Sequence, residues 1–373
     1  MNQPNRLISL DMFRGFTIAL MILVNNPGSW KYVYPPLLHA EWHGWTPTDL
    51  VFPFFLFIVG VAMSLSFSRR LEAGDVFSNL FTKVLRRTLI IFALGLLLSL
   101  FPRFDFANMR IPGVLQRIAV CYFFASLIVL QANKKYQYGW TAILLAVYWI
   151  LIKTVPVPGY GAGVLEPMGN LAWYIDNKLL AGHTWSGAPA PGFDPEGIFS
   201  TIPAIATVMF GVFVGDWIRT PRDQYEKVAG LFVAGNIGLV AGIIMDIWLP
   251  INKNLWTSSY AVFMSGMATV FLAMCYWLID VKGFTGWTKP FVVFGSNAIV
   301  VYTLSGLVAK ATIYIKWQSA DGSSIALKSW LYQNIFQSWA GDYFGSLLYP
   351  ILFNLIFLGL MWILYSKKIF IKI

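Results

Sequence analysis

His39 and Asp49 are the residues of this sequence whose types and spacing are best suited to chemistry. Near neutral pH, imidazole is the side chain that most readily takes up a proton, so His39 is a candidate general base. Asp49 lies ten residues further on, directly before a long apolar run, and a carboxylate in this position can orient an imidazole. The segment 46–49 (T-P-T-D) is also typical of a helix start, so Asp49 can cap the following helix as well.

The histidine pair His39 and His43 allows a second interpretation. Their four-residue spacing would place two imidazoles on one face of a helix, as in some zinc sites. However, Glu41 stands at the third position of this segment, whereas the zinc-protease motif has glutamate at the second. Because no third ligand is evident, we predict a polar loop in which one imidazole takes part in chemistry, and no metal site.

Two arginines, Arg14 and Arg117, fall inside apolar segments. A charged side chain in a bilayer is costly and usually faces a partner or a wet cavity. Asp11 lies three residues before Arg14 on the same helix face, so a mutual ion pair is one interpretation. Arg117 and its neighbour Gln116 form a polar cluster that can bind an anionic ligand or a carboxylate.

Further polar residues lie at the ends or in the middle of apolar segments. Asp194 and Glu196 precede the sixth segment, where a helix cap is the simplest role. Asn297 falls within the ninth segment, and hydrogen bonding between helices explains most such residues. The sequence contains no G-x-x-x-x-G-K-[ST] motif, so a phosphate-bearing ligand would be bound by scattered basic and polar side chains.

The elements that position these residues follow from composition. The chain is 57% hydrophobic and only 12% charged, with a mean hydropathy of +0.64. A water-soluble domain carries about 25% charged residues, so we exclude a soluble enzyme, a disordered chain and a disulfide scaffold. We predict an all-α polytopic membrane protein with a single domain, 1–373. Ten apolar segments are long enough to span a bilayer: 8–26, 48–68, 84–101, 114–131, 138–155, 198–218, 228–249, 256–279, 290–314 and 346–366.

Basic residues predict the orientation of these spans. With both termini in the cytoplasm, sixteen of the 27 Lys and Arg residues lie in inner segments and nine in outer loops. The positive-inside rule favours this topology, with the long loop that contains His39 outside. The net charge of +10 therefore reflects membrane orientation, and we predict no binding of nucleic acid.

Several segments resemble the transmembrane acyltransferases related to lysosomal heparan-α-glucosaminide N-acetyltransferase. Their order along the chain is also that of the family. They are 6–15 (RLISLDMFRG), 39–53 (HAEWHGWTPTDLVFP), 110–117 (RIPGVLQR), 174–176 (YID), 194–197 (DPEG) and 252–256 (NKNLW).

This resemblance implies transfer of an acetyl group from cytoplasmic acetyl-CoA to the amine of a terminal glucosamine on the far side of the membrane. It assigns catalysis to His39 and to the asparagine that closes the first span, for which Asn25 is the best match. With Asp49 these residues form the expected catalytic set. We assign CoA binding to Arg14, Gln116, Arg117 and Asn297, and acceptor binding to Asn26, Glu41, Asp194 and Glu196.

The chain begins at the membrane core, so we expect a bacterial member in the inner membrane that lacks the long luminal domain of the animal enzymes. The resemblance also suggests a homodimer. Transfer can be direct, with His39 as base, or can pass through an acetyl-histidine, and we favour direct transfer. Two other functions stay open: an amino-sugar transporter without chemistry, and an O-acyltransferase of a cell-envelope polysaccharide.

Overall fold

The computed structural model describes residues 7–318, 322 and 324–371. Arg6, at the start of the first matching segment, lies outside this part of the chain. The long helices are α1 (Ile8–Asn25), α2 (Val51–Glu72), α3 (Phe77–Leu100), α4 (Val114–Gln131), α5 (Lys134–Thr154), α7 (Thr201–Arg219), α8 (Gln224–Asp246), α9 (Ser258–Cys275), α11 (Ala298–Tyr314) and α14 (Asp342–Ser366). The shorter elements are α6 (Leu171–Leu179), α10 (Lys289–Ser296), α12 (Leu327–Leu331), α13 (Ser338–Ala340) and an antiparallel hairpin of β1 (Lys316–Gln318) and β2 (Ser324–Ala326). The prediction of an all-α polytopic membrane protein is confirmed.

Each of the ten predicted spans coincides with helix. Within the described ranges, seven helices are long and apolar enough to cross a membrane, or eight if one bent pair is a single span. The helices α3 and α5 have sufficient length, with 24 and 21 residues, but carry more polar and charged residues. The count of ten and the cytoplasmic position of the termini stay predictions.

The ninth predicted span, 290–314, differs from a continuous helix. It consists of α10 and α11, which meet at an angle of 83°. Asn297 occupies the bend, where its Nδ2 donates to the carbonyl oxygen of Ile369 at 3.0 Å and its Oδ1 accepts from the amide of Ile371 at 2.8 Å. Glycine and serine at positions 295 and 296 favour such a break, because they support a helix poorly.

Glycines allow the helices around the site to approach closely. A β-carbon on Gly60 of α2 would lie 1.9 Å from the carbonyl oxygen of Val208 in α7, and one on Gly211 would lie 2.0 Å from that of Phe57. Small residues at helix crossings are the usual means of tight packing in membranes. The α2–α7 crossing fixes the start of α2, which follows Asp49, relative to the start of α7, which follows Glu196.

The loops at one end of the bundle contact one another. The amide of Ile111 donates to the carbonyl oxygen of His183 at 2.9 Å, and that of Gly44 donates to Ile251 at 2.7 Å. The indole of Trp42 donates to the carbonyl oxygen of Leu165 at 2.8 Å. Loops 26–50, 101–113, 155–200 and 247–257 therefore form one structured cap over the helices, and the candidate site lies beneath it.

Candidate active site

His39 and Asp49 meet at a short helical turn, Pro47–Leu50, that leads into α2. His39 Nδ1 lies 2.6 Å from Asp49 Oδ1. The other carboxylate oxygen accepts the amides of Ala40 and Thr46, both at 3.0 Å. Asp49 is 1% exposed, whereas the imidazole is 43% exposed. The carboxylate therefore caps the turn and orients the imidazole, and with a proton on Nδ1 the Nε2 atom is left as the acceptor.

Lys253 completes this cluster from the loop between α8 and α9. Its Nζ lies 2.9 Å from His39 Nδ1, 3.2 Å from His39 Nε2 and 3.4 Å from Asp49 Oδ1. Burial lowers the pKa of Lys253, and the carboxylates of Asp49 and Glu196 partly offset this effect. The sequence alone does not identify Lys253 as a site residue, because His39 lies 214 positions away in the chain. The only local signal was a lysine between Asn252 and Asn254.

Arg110 binds both acidic residues of the segment before α7. Its Nε lies 2.8 Å from Asp194 Oδ2 and its Nη2 lies 2.5 Å from Asp194 Oδ1, while Nη2 also donates to Glu196. Burial alone would lower the pKa of Arg110, but the two carboxylates raise it above its usual value. Burial would likewise raise the pKa of Glu196, but Arg110 and other cations lower it. This cluster fixes the loop before α7 against the loop before α4.

A first cavity of about 440 Å³ extends from this cluster into the helix bundle. It reaches from Asn25, at the end of α1, to Thr17, which lies eight residues or about 12 Å further down the helix. Its polar side includes Asn25, Thr48, His39, Glu41, Asp49, Arg110, Glu196, Lys253 and Asn254. The exposed imidazole of His39 is thus accessible to a molecule in this cavity.

A second cavity of about 410 Å³ adjoins the first. Asn26 and Gln116 line it, and their amide nitrogens are buried without a hydrogen-bond partner among the described residues. Lys310 also lines it and donates to the carbonyl oxygen of Leu98. The wall common to both cavities consists of Met21, Asn25, Arg110, Val114, Trp185 and Tyr302.

Of the residues assigned to acceptor binding, Glu41 and Glu196 line the first cavity and Asn26 lines the second. Asp194 is fully buried beneath Arg110, and the described lining of the cavities does not include it. Its position supports a structural contribution through Arg110.

Of the residues assigned to CoA binding, only Gln116 is among the described residues that line a cavity. Arg117 is buried, donates to the carbonyl oxygen of Gly197 at 3.0 Å and lies over the ring of Trp256, 5.2 Å from its centre. Arg14 donates to Asp11 Oδ1 at 3.2 Å, the ion pair that sequence spacing allowed. With Asn297 at the helix bend, a role of these three residues in CoA binding stays a prediction.

The described residues contain no group of three or more His, Cys, Asp or Glu side chains that could hold a metal ion. His43 lies with its Nδ1 3.3 Å from Asn252 Nδ2, and burial lowers its pKa. The two histidines therefore have different partners, with His39 in contact with Asp49 and His43 in contact with Asn252.

Comparison with known proteins relates the chain to one family. A family model described as heparan-alpha-glucosaminide N-acetyltransferase, catalytic, matches residues 6–250. The heparan-alpha-glucosaminide N-acetyltransferase of Mus musculus is 30% identical over 426 residues, which cover 100% of this chain and 61% of that protein. Its counterpart of Homo sapiens is 31% identical over 424 residues, which cover 99% of this chain and 60% of that protein. The chain spans about three fifths of the length of these curated relatives.

Proposed function

The chain belongs to the heparan-alpha-glucosaminide N-acetyltransferase family, and on that premise we propose that it is a membrane-embedded acetyltransferase. The donor is acetyl-CoA, and the acceptor is the amine of glucosamine or a related amino sugar on the extracytoplasmic side of a bacterial inner membrane. The observation that carries the proposal is the contact between His39 and the buried Asp49 at the wall of a cavity large enough for a sugar.

The chemistry requires a base. An amine attacks a thioester only when its nitrogen is neutral, and it loses a further proton as the amide forms. In the proposed reaction His39 Nε2 takes this proton, and Asp49 stabilises the resulting imidazolium through Nδ1. The carbon–sulfur bond then breaks, the sulfur keeps the electron pair, and His39 returns the proton to the thiolate. Asn25, in the wall of both cavities, donates to the oxygen that becomes negative.

The charges of the two cavities support a division between the substrates. The first cavity has three carboxylates, those of Glu41, Asp49 and Glu196, and two cations, Arg110 and Lys253, and this excess of carboxylates suits a polyhydroxylated amine. The second cavity has Arg110 and Lys310 in its wall and no carboxylate among its described lining residues, which suits the anionic donor. Asn26, which the sequence assigned to acceptor binding, lines the second cavity, so we propose that it binds the donor instead. The pantetheine arm of CoA carries two amides, and their carbonyl oxygens can accept from the unpartnered amide nitrogens of Asn26 and Gln116.

Removal of either side-chain amide should weaken the binding of acetyl-CoA but not that of the amino sugar. We expect Gln116→Leu and Asn26→Leu to raise the KM for acetyl-CoA by roughly tenfold each, the equivalent of about one hydrogen bond, and to leave the KM for the amino sugar nearly unchanged. Asn236→Leu is the matched control, since this amide lies exposed on α8. Equal increases in both KM values would place the donor elsewhere.

The activity itself is tested with purified protein in nanodiscs and radiolabelled acetyl-CoA. We expect labelled acetyl groups on glucosamine and none on N-acetylglucosamine, in which the amine is already blocked. Transfer to hydroxyl groups instead would identify an O-acyltransferase. Uptake of amino sugar into proteoliposomes that does not depend on acetyl-CoA, with no labelled product, would identify a transporter.

The proposed extracytoplasmic acceptor requires the His39 loop to be outside. Ser186 lies exposed in the cap beside the first cavity, and Ser78 lies exposed at the start of α3. The native Cys121 and Cys275 are buried, so a cysteine introduced at either serine is the accessible thiol. In intact cells, an impermeant maleimide should label Ser186→Cys and should label Ser78→Cys only after lysis. The opposite pattern would contradict the topology.

A further inference from the structure

Lys253 is a cation at the wall of the first cavity, in contact with the proposed base. Its Nζ lies within 3.2 Å of both ring nitrogens of His39. A substrate amine that donates to Nε2 must place its nitrogen about 3 Å from that atom. In the attack this nitrogen forms a bond to the carbonyl carbon. The carbonyl oxygen therefore also comes close enough to accept a hydrogen bond from the ammonium.

The hydrogen-bonding capacity of Lys253 is only partly used. An ammonium has three donors, and the contact with Asp49 Oδ1 at 3.4 Å is longer than a strong charge-assisted hydrogen bond. His39 Nδ1 cannot accept from Lys253 while it donates to Asp49. The two distances instead place Nζ over the imidazole ring, nearly equidistant from both nitrogens and away from the Nε2 lone pair. A bound amine can therefore donate to Nε2 while the ammonium stays in place.

Fixed negative charges hold Lys253 in place. Asp49 is bound by His39 and two backbone amides, and Glu196 is bound by Arg110. Both carboxylates favour the charged form of the lysine, in opposition to burial. Asp49 and Glu196 therefore oppose the loss of the positive charge, which acts more strongly in a protein-lined cavity wall than in water.

We propose that Lys253 is a catalytic residue whose ammonium stabilises the negative oxygen of the tetrahedral intermediate. This role rests on the proposed acetyl transfer. As the nitrogen–carbon bond forms, the carbonyl π electrons move to oxygen, which accepts a hydrogen bond from Nζ, and the amine proton moves to His39. When the carbon–sulfur bond breaks, the carbonyl re-forms and the thiolate takes the proton from His39. Lys253 neither gains nor loses a proton in either step.

The test replaces the charge and then restores it. Lys253→Met keeps the length of the side chain and removes the ammonium. We expect kcat to fall by about 10²- to 10³-fold, the usual cost of losing one oxyanion donor, with little change in either KM. Lys253→Cys should be similarly slow, and treatment with 2-bromoethylamine, which rebuilds a side-chain amine on the thiol, should restore most of the rate. Wild-type protein treated in parallel is the control for alkylation, since its two cysteines are buried. Lys178→Met, on α6, is the control for loss of a lysine.

The outcomes separate this role from the proposed function. If wild-type protein transfers acetyl groups and Lys253→Met does so at a near-normal rate, the catalytic role is wrong and the function stands. If wild-type protein transfers none, the function is wrong and the role fails with it. If Lys253→Met loses both thermal stability and activity, the alkylated Lys253→Cys variant distinguishes the two roles. Recovery of its Tm after treatment with 2-bromoethylamine, without recovery of kcat, would show a purely structural role.

Discussion

Replacement of His39 by alanine is expected to reduce the rate of acetyl transfer by about 10²- to 10⁴-fold, the usual contribution of a general base. The fold should persist, because the imidazole is 43% exposed and Asp49 keeps its bonds to the amides of Ala40 and Thr46. Initial rates at saturating acetyl-CoA, with the Tm of each variant in the same nanodiscs, measure both effects.

His43→Ala is the matched control for this prediction. His43 lies four residues further along the same loop, but the described residues that line the cavities do not include it. We expect it to cost far less activity. A well-folded His39→Ala variant with near-normal turnover would refute the mechanism, and equal losses in the two variants would show that the loop, and not the imidazole of His39, is required.

The second large effect is expected at the crossing of α2 and α7. Gly60→Ala adds a β-carbon that would lie 1.9 Å from the carbonyl oxygen of Val208 and 2.9 Å from the amide nitrogen of Val212. Both are backbone atoms, which cannot rotate away as a side chain can. The helices must therefore separate, at a cost at or above the upper end of the ~1–3 kcal/mol typical of overpacking. The separation also moves Asp49 relative to Glu196, so activity should fall together with Tm.

Gly359→Ala provides the comparison for Gly60→Ala. Gly359 lies within α14, and a β-carbon there would meet no described atom within 4 Å. The same substitution at this position should leave Tm unchanged or slightly higher, because alanine supports a helix better than glycine. Thermal unfolding followed by size-exclusion fluorescence separates the two cases. Equal Tm values for the two variants would contradict the close approach of α2 and α7.

The parts of the fold that could be predicted from sequence are those with a local cause. Apolar composition predicts helices, because every backbone polar group in a bilayer must be satisfied within the chain. The contact between His39 and Asp49 spans ten residues and a helix start, so a short motif is sufficient to suggest it. The bend at Asn297 could not be predicted from hydropathy, because α10 and α11 form one continuous apolar run in the sequence.

The remainder of the site depends on contacts between distant segments. Lys253 lies 214 residues from His39, and Arg110 lies 84 from Asp194, so no spacing rule relates either pair. In the sequence, the intramembrane position of Arg117 indicated an anionic ligand or a carboxylate as its partner. The structure shows bonds to the carbonyl oxygen of Gly197 and the hydroxyl of Ser200, and Nε and Nη1 have no hydrogen-bond partner among the described residues. A role of Arg117 in ligand binding therefore stays a prediction.

The wall common to the two cavities has a consequence for inhibitor design. Asn25, Arg110 and Tyr302 line both cavities, so a ligand in the first cavity and a ligand in the second lie next to each other. With the proposed division of the substrates, a compound that joins a glucosamine to a pantetheine fragment through a short, non-hydrolysable linker would occupy both cavities at once. Binding of one half then presents the other at a high effective concentration, so the tethered compound should bind about 10²- to 10⁴-fold more tightly than either half alone.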